Sequence, residues 1–79
     1  MPERELREVF AAVFGAAVPV GDFTRDAVQE WDSLGHVKLV LELEARLGVR
    51  VAPADIARLH SDFAAVRAYV ERARREVVR

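Results

Sequence analysis

Residues 31–47, WDSLGHVKLVLELEARL, carry more apolar side chains than a helix with one buried face requires. At about 100° per residue, these side chains divide into two groups on nearly opposite sides of a helix. The first group, which we expect to pack in the core, contains Leu39, Val40, Leu43 and Leu47. The second group must meet something other than that core, and it contains Leu34, Val37 and Leu41. A helix with two apolar faces therefore begins beside Asp32 and Ser33.

The chain around this helix is short and has no cysteine. Its 79 residues suffice for one small domain, which we take to span residues 1–79. The lack of cysteine excludes disulfides, thiolate metal sites and a cysteine nucleophile. The two histidines, His36 and His60, are too far apart in sequence to form a helical metal-binding pair. We therefore expect neither a metal site nor catalytic residues in this chain.

The charge and hydropathy of the chain indicate its cellular location and the classes of partner that it lacks. The first ten residues, MPERELREVF, are charged, and no apolar run reaches the roughly 18 residues of a membrane span. We therefore expect a cytoplasmic protein without a membrane partner. Basic residues concentrate only near the C-terminus, within residues 67–79. Since arginines in a last helical turn also complement the helix dipole, no nucleic-acid partner is predicted.

Apolar periodicity predicts two further long helices. The first has Pro2 in its first turn and ends near Gly15. Its apolar positions are Leu6, Val9, Phe10, Val13 and Phe14. The last follows Ser61, which is its predicted N-cap. Its apolar positions, with Tyr69 beside them, are Phe63, Val66, Val70, Ala73 and Val77.

The segments between these helices differ in length. Residues 15–31 lack periodicity and form a long first loop, with a helical turn expected between Thr24 and Glu30 and Thr24 as its cap. The predicted anchors of this loop are Phe23, Val28 and Trp31. The central helix closes near Gly48, and a short helix opens at Pro53 and reaches Leu59. The predicted fold is an all-α four-helix bundle with three longer helices, one short third helix and a long first loop.

Asp32 and Ser33 at the start of the central helix have two interpretations. Either residue can be a simple N-cap, which stabilises a helix by about 1 kcal/mol. Alternatively, Asp32 caps the helix and Ser33 takes the first helical position with its hydroxyl directed to solvent. A phosphate on that hydroxyl would lie where the amides and dipole of a helix N-terminus favour an anion.

The D-S-L sequence at residues 32–34 stands within a longer pattern. A first amphipathic helix and a long loop precede it, and a short third helix and a fourth helix follow it. Together with WDSLGHVKLVLELEARLGV and the later PADIARLHSDFAAVRAYV, this order of elements resembles the acyl and peptidyl carrier proteins. The resemblance covers essentially the whole chain, and it implies a carrier-protein bundle that acts as a monomer.

The resemblance implies a covalent cofactor and a non-enzymatic role. Ser33 would receive 4'-phosphopantetheine from coenzyme A through a phosphodiester made by a separate phosphopantetheinyl transferase. Asp32 would help to orient the magnesium ion bound by that transferase. The arm would supply the thiol that the chain lacks, and acyl groups would travel on it as thioesters. Gly35 is expected to leave room for the arm or for a partner.

A surface for partner enzymes is also implied. The matching positions are Leu34, Val37 and Leu41, rimmed by Lys38, Glu42 and Arg46. These apolar residues have an alternative interpretation, burial against the long loop or the short helix. His36 falls on the core-facing side and is predicted to pack or form hydrogen bonds there, and His60 ends the short helix or lies in a connection. Trp31 is expected to wedge the loop against the bundle.

The charge of the central helix departs from one branch of the family. Carriers of primary fatty acid synthesis are strongly acidic after the serine, whereas Glu42 and Glu44 are balanced here by Lys38 and Arg46. The WDSLGH sequence resembles stand-alone carriers of specialised bacterial pathways, such as polyketide or other secondary metabolism. The partners would be acyl-loading and acyl-accepting biosynthetic enzymes. Two alternatives remain: an aminoacyl or peptidyl carrier loaded by an adenylating ligase, and an unmodified helical interaction module.

Overall fold

A computed structural model describes residues 2–15 and 18–77, without the side chains of Pro2 and residues 75–77. The helices are α1 (Pro2–Phe14), α2 (Ser33–Leu47), α3 (Pro53–Ile56) and α4 (Phe63–Val77). Two short 3₁₀ segments are also present, at Arg25–Ala27 and at Ala57–Leu59, where the second continues α3. The described residues contain no strand. This architecture confirms the all-α prediction with three longer helices, one short third helix and a long first loop.

The centre of the core is an aromatic cluster around Phe10 of α1. The Phe10 side chain is fully buried. Its ring centroid lies between 5.2 and 5.9 Å from the centroids of Phe14, Phe23, Trp31 and Phe63. Each such side chain contributes about 1.5–3 kcal/mol by leaving water. Because these residues come from α1, the first loop and α4, one cluster fixes all three segments.

The helical periodicity correctly identified the core faces. The predicted core residues that are buried are Leu6, Val9, Phe10, Phe14, Leu39, Val40, Leu43, Phe63, Val66 and Val70. Partly buried residues packed against them include Val13, Leu47, Tyr69 and Ala73. The side chain of Val77 lies outside the described residues. The spacing of apolar residues in each long helix thus matches the face that packs inward.

The first loop is anchored as predicted, because Phe23, Val28 and Trp31 are all buried. Its middle also pairs with the segment before α4. The amide of Phe63 donates to the Phe23 carbonyl at 2.8 Å, and the amide of Arg25 donates to the Ser61 carbonyl at 2.9 Å. These backbone bonds hold the loop against the start of α4 and satisfy amides that a partly buried loop would otherwise leave unpaired.

The predicted N-cap of the last helix is wrong. The N-cap of α4 is Asp62, not Ser61: the Asp62 Oδ1 atom accepts from the Ala65 amide at 2.7 Å. The cause is the isolated bridge between Thr24 and Asp62, which holds Asp62 extended immediately before the helix. Thr24 precedes the 3₁₀ segment as expected but makes no side-chain cap bond. Gly48 closes α2 in a left-handed conformation with a φ of 68°.

Candidate functional site

Asp32 and Ser33 have different roles at the start of helix α2. Asp32 is the N-cap, since its Oδ1 atom accepts from the Gly35 amide at 2.9 Å. Ser33 is the first residue of the helix and is exposed. The structure therefore selects the second of the two interpretations of this pair. Because Asp32 provides the cap, the Ser33 hydroxyl is not required to stabilise the helix start.

The second apolar face of α2 is exposed along its length. We call it the apolar strip, and it consists of Leu34, Val37 and Leu41, with exposed fractions of 65%, 50% and 60%. Neither the first loop nor α3 covers it, so the alternative of burial is wrong. Large apolar residues grouped on one helical face are typical of a surface that meets a partner. The strip starts at the residue after Ser33.

Charged side chains border the apolar strip as the sequence predicted. Lys38 and Arg46 are exposed, and Glu42 is half-buried. The Arg46 Nε atom lies 3.0 Å from a carboxylate oxygen of Glu42 in an i, i+4 pair. Such a surface pair contributes about 0.3–0.5 kcal/mol to the helix. This pairing cancels two of the charges at the far end of the strip and leaves Lys38 near its middle.

Gly35 is required by the backbone of the first loop. A Cβ atom at this position would lie 2.0 Å from the Glu30 carbonyl oxygen and 3.0 Å from the Phe14 ring. The space beside Gly35 is therefore filled by the loop, and the expectation that it admits an arm or a partner is wrong. Only a residue without a side chain lets the loop pass this close to the first turn of α2.

A chain of hydrogen bonds connects the loop, α2 and α3 beneath Ser33. The indole Nε1–H of Trp31 donates to His36 Nδ1 at 2.9 Å, and His36 Nε2 lies 2.5 Å from the Ile56 carbonyl oxygen. Since an indole can only donate, Nδ1 must be the accepting nitrogen of a neutral imidazole. Nε2 then carries the proton and donates to Ile56. This confirms that His36 is a buried hydrogen-bonding residue.

His60 completes this arrangement from the end of the 3₁₀ segment that continues α3. Its Nε2 atom lies 2.6 Å from the Trp31 carbonyl oxygen. The rings of His60 and His36 stack, with centroids 4.6 Å apart and an interplanar angle of 17°. Trp31 is thus held through both its side chain and its backbone. The residue directly before the Asp32-Ser33 pair is fixed by one histidine from α2 and one from the α3 region.

The neutral state of His36 predicts a stability that depends on pH. Burial lowers the pKa of His36 below its ordinary value of 6.5; the bond to Ile56 opposes this shift, and the neighbouring His60 adds to it. Below about pH 6.5 the unfolded chain therefore binds more protons at His36 than the folded chain does. The contribution of neutral His36 to the free energy of unfolding should therefore be complete above that pH. The free energy of unfolding should decrease as the pH falls below it.

Urea unfolding of the wild type and of His36→Gln between pH 5 and pH 8 tests this expectation. Glutamine does not titrate, whereas His60 and the carboxylates are common to both proteins. The difference between the two pH profiles therefore isolates His36. We expect the wild-type free energy of unfolding to decrease more steeply on acidification. Parallel profiles would contradict the proposed protonation state.

A groove of about 460 Å³ opens beside Ser33 between the first loop and the end of α3. Its polar lining includes Arg25, Gln29, Asp32, Ser33 and His60. The Arg25 guanidinium lies 3.5 Å from His60 Nδ1 and 3.4 Å from the His60 carbonyl oxygen. The candidate site thus combines an exposed hydroxyl, a polar groove on one side and the apolar strip on the other.

No family model matches this chain, and no curated protein or solved structure is significantly similar to it. The function must therefore be argued from the site itself. Within residues 2–15 and 18–77, no three His, Cys, Asp or Glu side chains are grouped as metal ligands would be. No helix in the same part of the chain is long and apolar enough to cross a membrane.

Sequence reasoning found the exposed residues of the site and the roles of Trp31 and His36, and it missed the contributions of Arg25 and His60. Asp32, Ser33, the apolar strip and its charged rim lie along one side of α2, as spacing on a single helix requires. Arg25 and His60 come from segments distant in sequence. No sequence signal associates them with Ser33, although the pairing of residues 23–25 with residues 61–63 brings them to it.

Proposed function

We propose that this protein is an acyl carrier that holds its cargo as a thioester on a 4'-phosphopantetheine arm attached to Ser33. The observation that carries the proposal is the exposed Ser33 hydroxyl at the first position of a 15-residue helix whose cap is supplied by Asp32. The resemblance of residues 31–49 to carrier proteins supports the same residue. The chain itself catalyses nothing in this proposal, and it works as a cytoplasmic monomer.

The residues around Ser33 fit such an arm. The amides and dipole at the start of α2 favour the negative charge of a phosphodiester. Bound there, the arm supplies a thiol that carries acyl groups, which no side chain of this cysteine-free chain can do. Asp32 is exposed beside Ser33, so one of its carboxylate oxygens remains accessible to a transferase-bound magnesium ion while Oδ1 caps the helix.

In this proposal a separate transferase moves the phosphopantetheinyl group from coenzyme A to Ser33. A bond forms between Ser33 Oγ and phosphorus as the pyrophosphate bond of coenzyme A breaks. The nucleotide portion leaves with the electron pair, and the hydroxyl proton passes to a base of the transferase. The role of this chain is to present the hydroxyl at a rigid helix start, which favours a productive geometry.

The apolar strip supports a role in meeting partner enzymes. Leu34, Val37 and Leu41 lie next to the attachment point and are at least half exposed. On α2 the charges of Lys38 and Arg46 are balanced by those of Glu42 and Glu44, so this helix provides little long-range attraction beyond a Debye length of about 8 Å. We therefore propose partners in a specialised bacterial pathway, such as polyketide synthesis, that load or accept acyl units through a largely apolar contact.

Intact mass spectrometry tests the attachment. Purified protein is incubated with coenzyme A, magnesium and a broad-specificity phosphopantetheinyl transferase. We expect the wild type to gain one phosphopantetheinyl group and Ser33→Ala to gain none. Ser61→Ala is a matched control, because Ser61 is also an exposed serine near a helix start. Absence of mass gain in the wild type, or equal gain in Ser33→Ala, would overturn the proposal.

Ser33→Ala together with Leu41→Asp distinguishes a carrier from an unmodified interaction module. A module that binds through the apolar strip alone retains its function in Ser33→Ala and loses it in Leu41→Asp. A carrier loses function in Ser33→Ala regardless of the strip. Loading of the modified protein with candidate adenylating ligases then distinguishes an aminoacyl or peptidyl carrier from an acyl carrier, because the loading enzyme selects the cargo.

A further inference from the structure

A second groove of about 460 Å³ lies between α4 and the helical segment formed by α3 and its 3₁₀ continuation. We call it the α3–α4 groove. Its lining from the α3 side consists of Asp55, Arg58 and Leu59, and Arg50 of the connection after α2 adds to it. Its lining from α4 consists of Ala65, Ala68, Tyr69, Arg72 and Ala73. None of these residues belongs to the apolar strip or to the groove beside Ser33, so this is a separate surface of the molecule.

Hydrogen bonds within the protein hold the two walls of the α3–α4 groove together. The Tyr69 hydroxyl donates to Asp55 Oδ2 at 3.1 Å and accepts from the Ala52 amide at 3.3 Å. The guanidinium of Arg58 donates to Asp55 Oδ1 at 3.1 Å. Both carboxylate oxygens of Asp55 are therefore engaged by neighbouring groups of the chain. The groove is formed before any ligand arrives, and a preformed site loses less entropy on binding.

The charge of the α3–α4 groove is positive. Three exposed arginines line it, Arg50, Arg58 and Arg72, whereas Asp55 is the one carboxylate among the lining residues. That carboxylate forms an ion pair with Arg58. Among the side chains that the structure describes, Arg50 and Arg72 form no ion pair. The groove therefore presents two uncompensated guanidinium groups, which attract anionic groups of a ligand.

The remaining lining of the groove is mostly apolar. Leu59 is buried, and the α4 wall between the charged groups consists of the Tyr69 ring and alanine side chains, which end at Cβ. A ligand that matches this composition carries carboxylates around an apolar side chain. The carboxylates would meet the arginines in the bidentate geometry that guanidinium groups favour, and the apolar side chain would cover the alanine surface.

The exposure of the arginines decides how large the ligand must be. One exposed ion pair changes an affinity by about fivefold or less, so a single carboxylate or phosphate ion would bind weakly. A ligand that forms two such pairs and also buries an apolar side chain combines these small effects. An amphipathic helix offers this combination, because apolar anchors recur on one face and charged residues flank them.

We propose that the α3–α4 groove is a docking site for an acidic amphipathic helix of a partner protein. In this complex Arg50 and Arg72 pair with carboxylates of the partner, while Arg58 keeps its bond to Asp55. An apolar residue of the partner packs on Leu59 and the alanines of α4. The inference does not depend on modification of Ser33, and it gives the molecule a second partner surface that shares no residue with the apolar strip.

Titration of the ¹⁵N-labelled protein with a synthetic peptide, followed by NMR, tests the proposal. The probe is a helical peptide of glutamate, leucine and alanine with its leucines on one face. In the control peptide, glutamine replaces every glutamate. We expect the acidic peptide to shift the amide resonances of Leu59, Ala65, Ala68 and Ala73. The glutamine peptide should bind about tenfold more weakly, and salt should weaken the acidic peptide more, because it screens exposed charges.

Removal of the two uncompensated charges should weaken binding in steps. Arg50→Gln and Arg72→Gln each remove one exposed guanidinium, and each should raise the dissociation constant of the acidic peptide by about threefold. The double variant should raise it by about tenfold, as expected for independent sites. The matched control is Arg4→Gln combined with Arg46→Gln, which changes the net charge equally at exposed arginines outside the groove. Circular dichroism checks that all variants are folded.

Several results would overturn the inference. The acidic peptide could leave the groove resonances unchanged or shift only those of Leu34, Val37 and Leu41. The double variant and its control could weaken binding equally, which would indicate net charge rather than the groove. Inorganic phosphate or a single-stranded oligonucleotide could displace the peptide at equal ionic strength, and shifts that depend on protein concentration alone would indicate a second copy of this chain.

The test is independent of the proposed function. Ser33→Ala should bind the acidic peptide as the wild type does, because Ser33 does not line the α3–α4 groove. Failure of the proposed function appears separately, as the absence of any mass gain at Ser33. Either proposal can therefore be rejected while the other stands.

Discussion

Replacing Trp31 by alanine is expected to unfold a large fraction of the protein at room temperature. Trp31 is 2% exposed, and its ring centroid lies 5.2 Å from that of Phe10 and 6.1 Å from that of Phe23. Loss of a buried aromatic side chain costs about 3–5 kcal/mol. The buried acceptor on His36 would also lose its donor, which costs about 1–3 kcal/mol more.

This cost is comparable with the whole stability of the chain. A protein of 79 residues has a free energy of unfolding of about 4–12 kcal/mol at the usual value per residue. Circular dichroism during urea unfolding measures the loss. Trp31→Phe is the matched control, since it keeps one aromatic ring while it removes the donor to His36 and part of the buried ring volume. We expect an intermediate loss for the control, and equally small losses for both variants would contradict the role of Trp31.

Replacing Gly35 by alanine is expected to destabilise the protein although alanine is the better helix former. The new Cβ would lie 2.0 Å from the Glu30 carbonyl oxygen, which is backbone and cannot rotate away. Either the loop or the first turn of α2 must move. Forced overpacking of this kind costs typically about 1–3 kcal/mol, and occasionally more.

Helix propensity and overpacking predict opposite changes in the free energy of unfolding of Gly35→Ala. By helix propensity alone, alanine at this position would stabilise α2 by about 0.8–1 kcal/mol. The control is Ala45→Gly, an exposed position of the same helix, which should lose about that amount by the same propensity. Urea unfolding of both variants compares the two effects. A stabilised Gly35→Ala would show that the loop does not pack against the helix as described.

The consequences of these two substitutions extend to the candidate site. Trp31 and Gly35 flank Asp32 and Ser33 in sequence, and both hold the end of the first loop against α2. A displaced loop would move the backbone that carries Asp32 and would open the groove in which Arg25 lies. Under the proposed function, both variants should therefore reduce the mass gain at Ser33 on incubation with the transferase, even under conditions where most molecules remain folded.

The most local features of the protein were predictable from its sequence. Helix periodicity depends on neighbours three and four residues away, so it identified the core face of α2 and a second apolar face without tertiary information. A cap at Asp32 or Ser33 and Gly48 as the closing residue were predictable for the same reason, because each satisfies backbone groups within one turn. The exposure of the apolar strip was left open by the sequence, since any other segment could have covered it.

Features that depend on two distant segments required the tertiary structure. Asp62 displaces Ser61 as the cap of α4 because Thr24 of the first loop pairs with it. Gly35 is required because the Glu30 backbone passes beside it, and the pKa of His36 is lowered because packing against the loop and α3 buries it. The sequence alone determined which residues form helices and which residues share a face of α2, since those relations are local. Only the packing of the first loop against α2 and the α3 region decided how Ser33 is held and what lies beside it, because those contacts join residues far apart in the chain.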